Sequence, residues 1–150
     1  MALKETLNAD IKAAMIARDS LTLDTLNGIK TAIQYEEVAK KLRETGLDDS
    51  AIEAVIAREA KKRDEAAELF DRGGNHEAAT KERAEKEILK KYLPQQLSED
   101  EVRGLVAEAI ATTGAADAKD MGRVIGAVKA KAGNAADGAL VARLTKELLQ

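Results

Sequence analysis

The sequence predicts an all-α protein, multihelical and in two domains. Three features carry that prediction. Composition is the first: 45% of residues are hydrophobic and 34% charged, yet only 2% are aromatic, whereas strands draw on β-branched and aromatic side chains. The second is punctuation, because 150 residues contain a single proline, Pro94, and a sheet protein needs many turn formers. The third is periodicity. Apolar residues recur at three- and four-residue intervals along most of the chain, which is the spacing of one helix face.

The first helix is expected from about Leu3 to Arg18, with Leu3, Leu7, Ile11 and Met15 on its inner stripe. Asp19-Ser20 interrupts it, and Ser20 can cap the next helix through its hydroxyl. That second helix runs from Leu21 to about Leu42 on Leu23, Leu26, Ile29 or Lys30, Ile33 and Val38. Thr45-Gly46 closes it, glycine being suited to the left-handed backbone of a helix end. A third helix starts at Asp48-Asp49-Ser50, turns Ile52, Val55, Ile56, Ala60, Ala67 and Phe70 inward, and stops at Gly73-Gly74. Asn75 caps the fourth, which carries Ala78, Ala84, Ile88 and Tyr92 and halts before Pro94. These two form a long antiparallel hairpin. Its faces carry Glu59 with Arg63, Glu68 with Arg72, Glu82 with Lys86 and Glu87 with Lys91, all acid first at i, i+4. Each such pair supports an exposed helix by ~0.2–0.5 kcal/mol.

Tyr92-Leu93-Pro94-Gln95-Gln96-Leu97 marks the boundary. The expected organisation is an N-terminal helical domain over 1–93, a hinge over 94–97 and a C-terminal three-helix domain over 98–150. Beyond Leu97 the texture changes, since six of the ten glycines lie there. Ser98-Glu99-Asp100-Glu101 is a capping box, in which serine and glutamate satisfy each other's backbone donors. The fifth helix carries Val102, Leu105, Val106, Ala109 and Ile110 and ends at Gly114. A sixth carries Met121, Val124, Ile125 and Val128 and ends near Gly133-Asn134. Asp137 caps the seventh, with Leu140, Val141, Leu144 and Leu148 inward.

The same residues exclude several chemistries. There is no cysteine, hence no disulfide, thiolate nucleophile or cysteine-ligated metal. His76 is the single histidine and has no companion ligand, so it reads as a surface-loop residue. No glycine-rich phosphate loop and no serine–histidine pair is legible. The expectation is therefore no catalytic residue, no metal and no cofactor. Lys4, Glu5 and Asp10 break any secretory apolar core. The longest uncharged run, Ala109 to Ala116, is far below the ~20 residues that span a bilayer. A cytoplasmic protein without membrane contact is expected. A net charge of −3 gives no global attraction to nucleic acid.

The most informative stretch is Lys119-Asp120-Met121-Gly122-Arg123-Val124-Ile125-Gly126. Two glycines four apart share one face of a helix, each costing about 1 kcal/mol against alanine. Either they admit tight packing against the fifth or seventh helix, or they leave a bare face for an RNA backbone or a partner helix. Between Asp120 and Asp137 stand Arg123, Lys129 and Lys131 with no acid, and Lys119, Arg143 and Lys146 are near. Such a cluster is either a local positive patch that can take phosphates or a solvated helix face. This domain has no aromatic residue, so RNA contact here would involve backbone and shape, not stacked bases.

In order and spacing, these segments resemble the GatB/YqeY family, specifically its free-standing YqeY-like proteins. Leu7-Asn8-Ala9-Asp10-Ile11-Lys12-Ala13-Ala14-Met15 is similar to the family's opening helix. Tyr92 to Glu101 resembles its inter-domain hinge. Lys119 to Gly126 and Ala136-Asp137-Gly138-Ala139-Leu140-Val141 resemble its C-terminal signature. The resemblance implies an all-α two-domain module. It is the module that also forms the tail of the GatB subunit of glutamine-dependent aspartyl/glutamyl-tRNA amidotransferase, where it grips the outer corner of tRNA while the chemistry happens elsewhere. Free-standing members inherit the label of carbon–nitrogen ligase activity with glutamine as amido-nitrogen donor. The catalytic domain of GatB has no counterpart here, so no catalytic residue carries over. Lys119, Gly122, Arg123 and Gly126 match the motif and, with Lys129 and Lys131, are the candidate face for tRNA or a protein of the tRNA machinery. The basic residue that family members often place before the Ala-Asp pair is missing from Ala132-Gly133-Asn134-Ala135-Ala136. The expected function is a non-catalytic, tRNA-associated binding module. The alternatives are a protein-interaction adaptor without RNA and an accessory subunit of an amidotransferase.

Overall fold

The computed structural model describes residues 2–150, and among these the regular structure is entirely helical. The helices are α1 (Ala2–Ala17), α2 (Ser20–Ala39), α3 (Asp49–Arg72), α4 (His76–Lys90), α5 (Glu99–Thr113), α6 (Met121–Ala132) and α7 (Gly138–Leu148). Short 3-10 turns cover Ala118–Asp120 and Gly133–Ala135. The chain divides into two compact units, one ending at Leu93 and the other running from Pro94 to Gln150.

In the first unit, α3 and α4 form the expected hairpin. It reverses through Gly73-Gly74, with Gly74 at φ +81°, a left-handed backbone that glycine adopts without strain. The Asn75 side chain then accepts from the Ala78 amide at 3.1 Å and starts α4. Of the four intrahelical pairs expected here, Glu59–Arg63 forms, at 3.7 Å. Lys86 instead reaches across the hairpin to Asp64 at 2.6 Å, and Arg63 reaches Glu85 at 3.0 Å. Glu87 pairs with Lys90 at 3.6 Å. The core is Leu7, Ile11, Leu26, Ile29, Ile33, Leu47, Ile52, Val55, Ile56, Ala60 and Leu89.

Several expectations need correction. Met15, Val38 and Phe70 are exposed, because each lies off the covered face of its helix, which a turn of about 3.6 residues carries through other positions. Ala14 and Glu37 are buried in their neighbourhood instead. In α4 Ile88 and Tyr92 pack partly buried against the core as expected, but the fully buried positions are Ala79 and Leu89. The cap of α2 is Asp19, not Ser20: its carboxylate accepts from the Thr22 amide at 3.1 Å. The second helix stops at Ala39, three residues before Leu42. Lys41 takes the left-handed backbone just beyond it, at φ +59°, and Gly46 takes a second one, at φ +75°, later in the connection to α3.

In the second unit, α5, α6 and α7 enclose Val102, Val106, Ala109, Val124, Val128, Val141 and Leu144. The capping box is formed: the Ser98 hydroxyl accepts from the Glu101 amide at 3.2 Å, and the Glu101 carboxylate accepts from the Ser98 amide at 3.4 Å. Gly114 closes α5 in the left-handed region at φ +70°. Asp137 accepts from the Leu140 amide at 3.1 Å and starts α7. Leu148 is half-exposed, whereas Thr145 is fully buried, its hydroxyl donated to the Val141 carbonyl at 2.7 Å. Residues assigned to the hinge are fastened to this unit: the Leu97 backbone amide donates to the Ala135 carbonyl at 2.9 Å, and the Gln96 side-chain Nε2 donates to the Asn134 carbonyl at 2.9 Å.

Candidate functional site

The candidate face centres on α6. Asp117 begins the 3-10 turn before it by accepting from the Lys119 amide at 2.9 Å. Asp120 folds back on the same turn, accepting from the Ala116 amide at 2.9 Å. Its carboxyl is held below the usual carboxylate range, first by that amide, then by Arg123 and by the Asp117 amide. The helix is anchored by Val124 and Val128, which are fully buried on its inner side.

Gly122, Gly126 and Lys129 follow one another at four and three residues, so they share the opposite side. All three are exposed, as are Arg123 and Ala130. A Cβ added at Gly122 or Gly126 would meet nothing within 4 Å. That overturns the reading of these glycines as a close-packing contact with α5 or α7. Within the unit they touch no neighbour that an alanine would disturb. The result is a strip of bare helix backbone ending in a lysine.

The cations are less free than their sequence suggests. Arg123 donates to Asp120 at 2.6 Å and to the Thr113 carbonyl at 3.3 Å. Lys131 donates to Glu108 on α5 at 2.6 Å. On α7, Arg143 is bound to Glu99 and to Glu147. The side chains of Lys119 and Lys129 make no ion pair among the described residues. So the acid-free run in the sequence is partly neutralised from outside the run. A shallow cleft of about 230 Å³ adjoins the strip, lined by Ile125, Val128, Val141, Lys129, Gly133 and Gly138 among others.

The His76 ring donates its Nδ1–H to the Asp71 carboxylate, 2.8 Å away, at the tip of the α3–α4 hairpin, far along the chain from α6. Among the described residues no cluster of three or more histidine and carboxylate side chains could hold a metal ion. No helix is long and apolar enough to cross a membrane among those residues.

What the fold defines is an all-helical protein of two small units, the second of which carries an exposed α6 face with Gly122, Gly126 and Lys129. The family model for Yqey-like protein matches residues 4–149, and the chain belongs to that family. It is also similar to altered inheritance of mitochondria protein 41, mitochondrial, from Lachancea thermotolerans, with 30% identity over 89 residues. That match takes in 59% of this chain and 46% of the yeast protein, so the chain spans about half the length of that relative.

Proposed function

We propose that this is a non-catalytic, tRNA-associated binding module whose α6 face lies against the sugar–phosphate backbone at the outer corner of tRNA. The observation that supports the reading is the pair of helical glycines with empty space above them. Each weakens α6 by about 1 kcal/mol, and no internal contact offsets that. A surface that must admit a bulky, regular backbone needs such bareness, and Lys119 and Lys129 flank it with uncompensated charge. On this reading the label of carbon–nitrogen ligase with glutamine as amido donor belongs to a catalytic partner, and this chain is its accessory at most.

The test is tRNA binding across a salt series. With two unpaired lysines at the face, the log–log slope should be about −1.4 to −1.8, at roughly 0.7–0.9 per phosphate neutralised. Changing Lys119, Arg123, Lys129 and Lys131 together to Glu should abolish the saturable component. Gly126→Gln, which leaves the charge intact, should weaken binding as well by standing a side chain on the face. Absence of saturable, salt-sensitive binding by the wild type would sink the proposal. Gly122, Gly126 and Ala130 also suit a partner helix packed at short range, the adaptor reading. Its sign would be a co-purifying protein lost with Gly126→Gln but indifferent to Glu at Arg123 and Lys129.

A further inference from the structure

An exposed aromatic residue with polar neighbours lies in the other unit and plays no part in the α6 face. Thr31, Tyr35 and Val38 stand at four- and three-residue spacing on one side of α2. With Gln34, Glu37 and Arg43 they line an open groove of about 520 Å³. Tyr35 is 74% exposed, unusual for a residue that contributes so much area when packed. Arg43, Lys41 and Lys30 make no ion pair among the described residues, and the Gln34 amide is unengaged.

The acid in this groove is neutralised. Glu37 is 6% exposed, receives the Lys4 ammonium at 2.8 Å and accepts from the Leu47 amide at 3.3 Å. Its charge is thus tied into the unit's interior and does little to repel an anion outside. What remains at the groove mouth is a free ring, a free guanidinium and a carboxamide with both a donor and an acceptor. A base has a face for the ring and an edge for the amide, and its phosphate matches the guanidinium.

We propose that this groove binds an unpaired RNA nucleotide, its base stacked on Tyr35 and its phosphate on Arg43. The inference deepens the RNA reading above and rests on it, but it concerns a separate surface and a different feature of RNA. The α6 face has no aromatic and would take backbone. The α2 groove takes a base that is not held in a helix.

The probes are a fluorescein-labelled 12-nucleotide single-stranded RNA of mixed sequence, a 12-base-pair RNA duplex and tRNA, read by anisotropy at one low salt concentration. Tyr35→Ala should weaken single-strand binding by roughly 5- to 100-fold. Tyr35→Phe should stay within about threefold of wild type, because the ring face is kept. Arg43→Glu should weaken it too, and duplex binding should be unchanged by either Tyr35 variant. Tyr35 is exposed, so these variants should melt like the wild type, which circular dichroism checks. Single-strand binding that survives Tyr35→Ala overturns the proposal, and so does a Tyr35→Phe loss as large as the alanine loss. If the four-Glu variant of α6 loses tRNA while Tyr35→Ala keeps single-strand affinity, the groove assignment alone falls. If the wild type binds none of the three RNAs, both readings fall.

Discussion

Glu37 is a carboxylate placed where sequence periodicity calls for an apolar residue. Burial would raise its pKa, but the Lys4 ammonium, and after it the Leu47 amide, hold the carboxyl below its ordinary value of 4.5. A depressed folded-state pKa contributes stability above the unfolded value, and that contribution is lost as pH falls through the folded one. The first unit should therefore lose this contribution as pH falls below Glu37's ordinary value of 4.5, and Glu37→Gln should lessen the acid limb in a pH-dependent urea titration. At neutral pH the same change should cost on the order of 1 kcal/mol, as a charge-assisted hydrogen bond is weakened. Gly122 and Gly126 make the opposite prediction. Space is open above both, so Gly122→Ala and Gly126→Ala should each stabilise the second unit by roughly 0.5–1 kcal/mol while weakening any ligand of the α6 face. A drop in melting temperature would mean that the glycines are needed for the fold itself. The glycine pair was legible as a feature in the sequence, but its meaning was not. Periodicity places both residues on one face and cannot say whether a neighbour covers it. The same limit hid the pairing of Lys131 with Glu108, 23 residues apart, whereas Arg123 with Asp120, at i, i+3, lies within the reach of local reasoning.

At the scale of elements, helix starts were the most legible features. Asp48, Asn75, Ser98 and Asp137 each cap through their side chains, because a cap is a local hydrogen bond between residues two or three apart. Helix ends were harder to read. Met15, Val38, Phe70 and Leu148 keep an apolar spacing but lie off the covered face, and where that face falls in the last turns is a tertiary property. The α3–α4 hairpin shows the same division. Its existence follows from Gly73-Gly74, but the partners of Arg63 and Lys86 depend on the register between the two helices. The capping box offers a direct test. Ser98→Ala should cost about 0.5–2 kcal/mol, and amide exchange should quicken at Glu99 to Val102 before it does so elsewhere in α5.

For the whole molecule, the two hydrophobic clusters share no residue. Each unit buries its own apolar surface, and the smaller one is near the size at which a core barely suffices. Leu144→Ala should cost ~2–5 kcal/mol, most of what such a unit has. Hydrogen exchange should then show α5, α6 and α7 losing protection while α3 and α4 keep theirs. Equal loss in both would mean that the units unfold as one. The all-α class was readable from composition because so few residues favour a strand. Which surfaces stay uncovered was not, since that depends on every helix being in place, and the Tyr35 groove came to light only in the folded unit.

The Tyr92 hydroxyl donates to Asp10 at 2.5 Å, joining residues 82 positions apart. In a chain made in one direction, this contact sets a clock. At about 5–20 residues per second, α1 exists for roughly 4–16 s before its last partner has been synthesised. Through that interval Leu7 and Ile11 have no finished cavity to enter. The nascent first unit should therefore expose the apolar stripe of α1 and associate with holding chaperones until α4 is complete. Slowing translation between α2 and α4 should lengthen that association, and speeding it should shorten it.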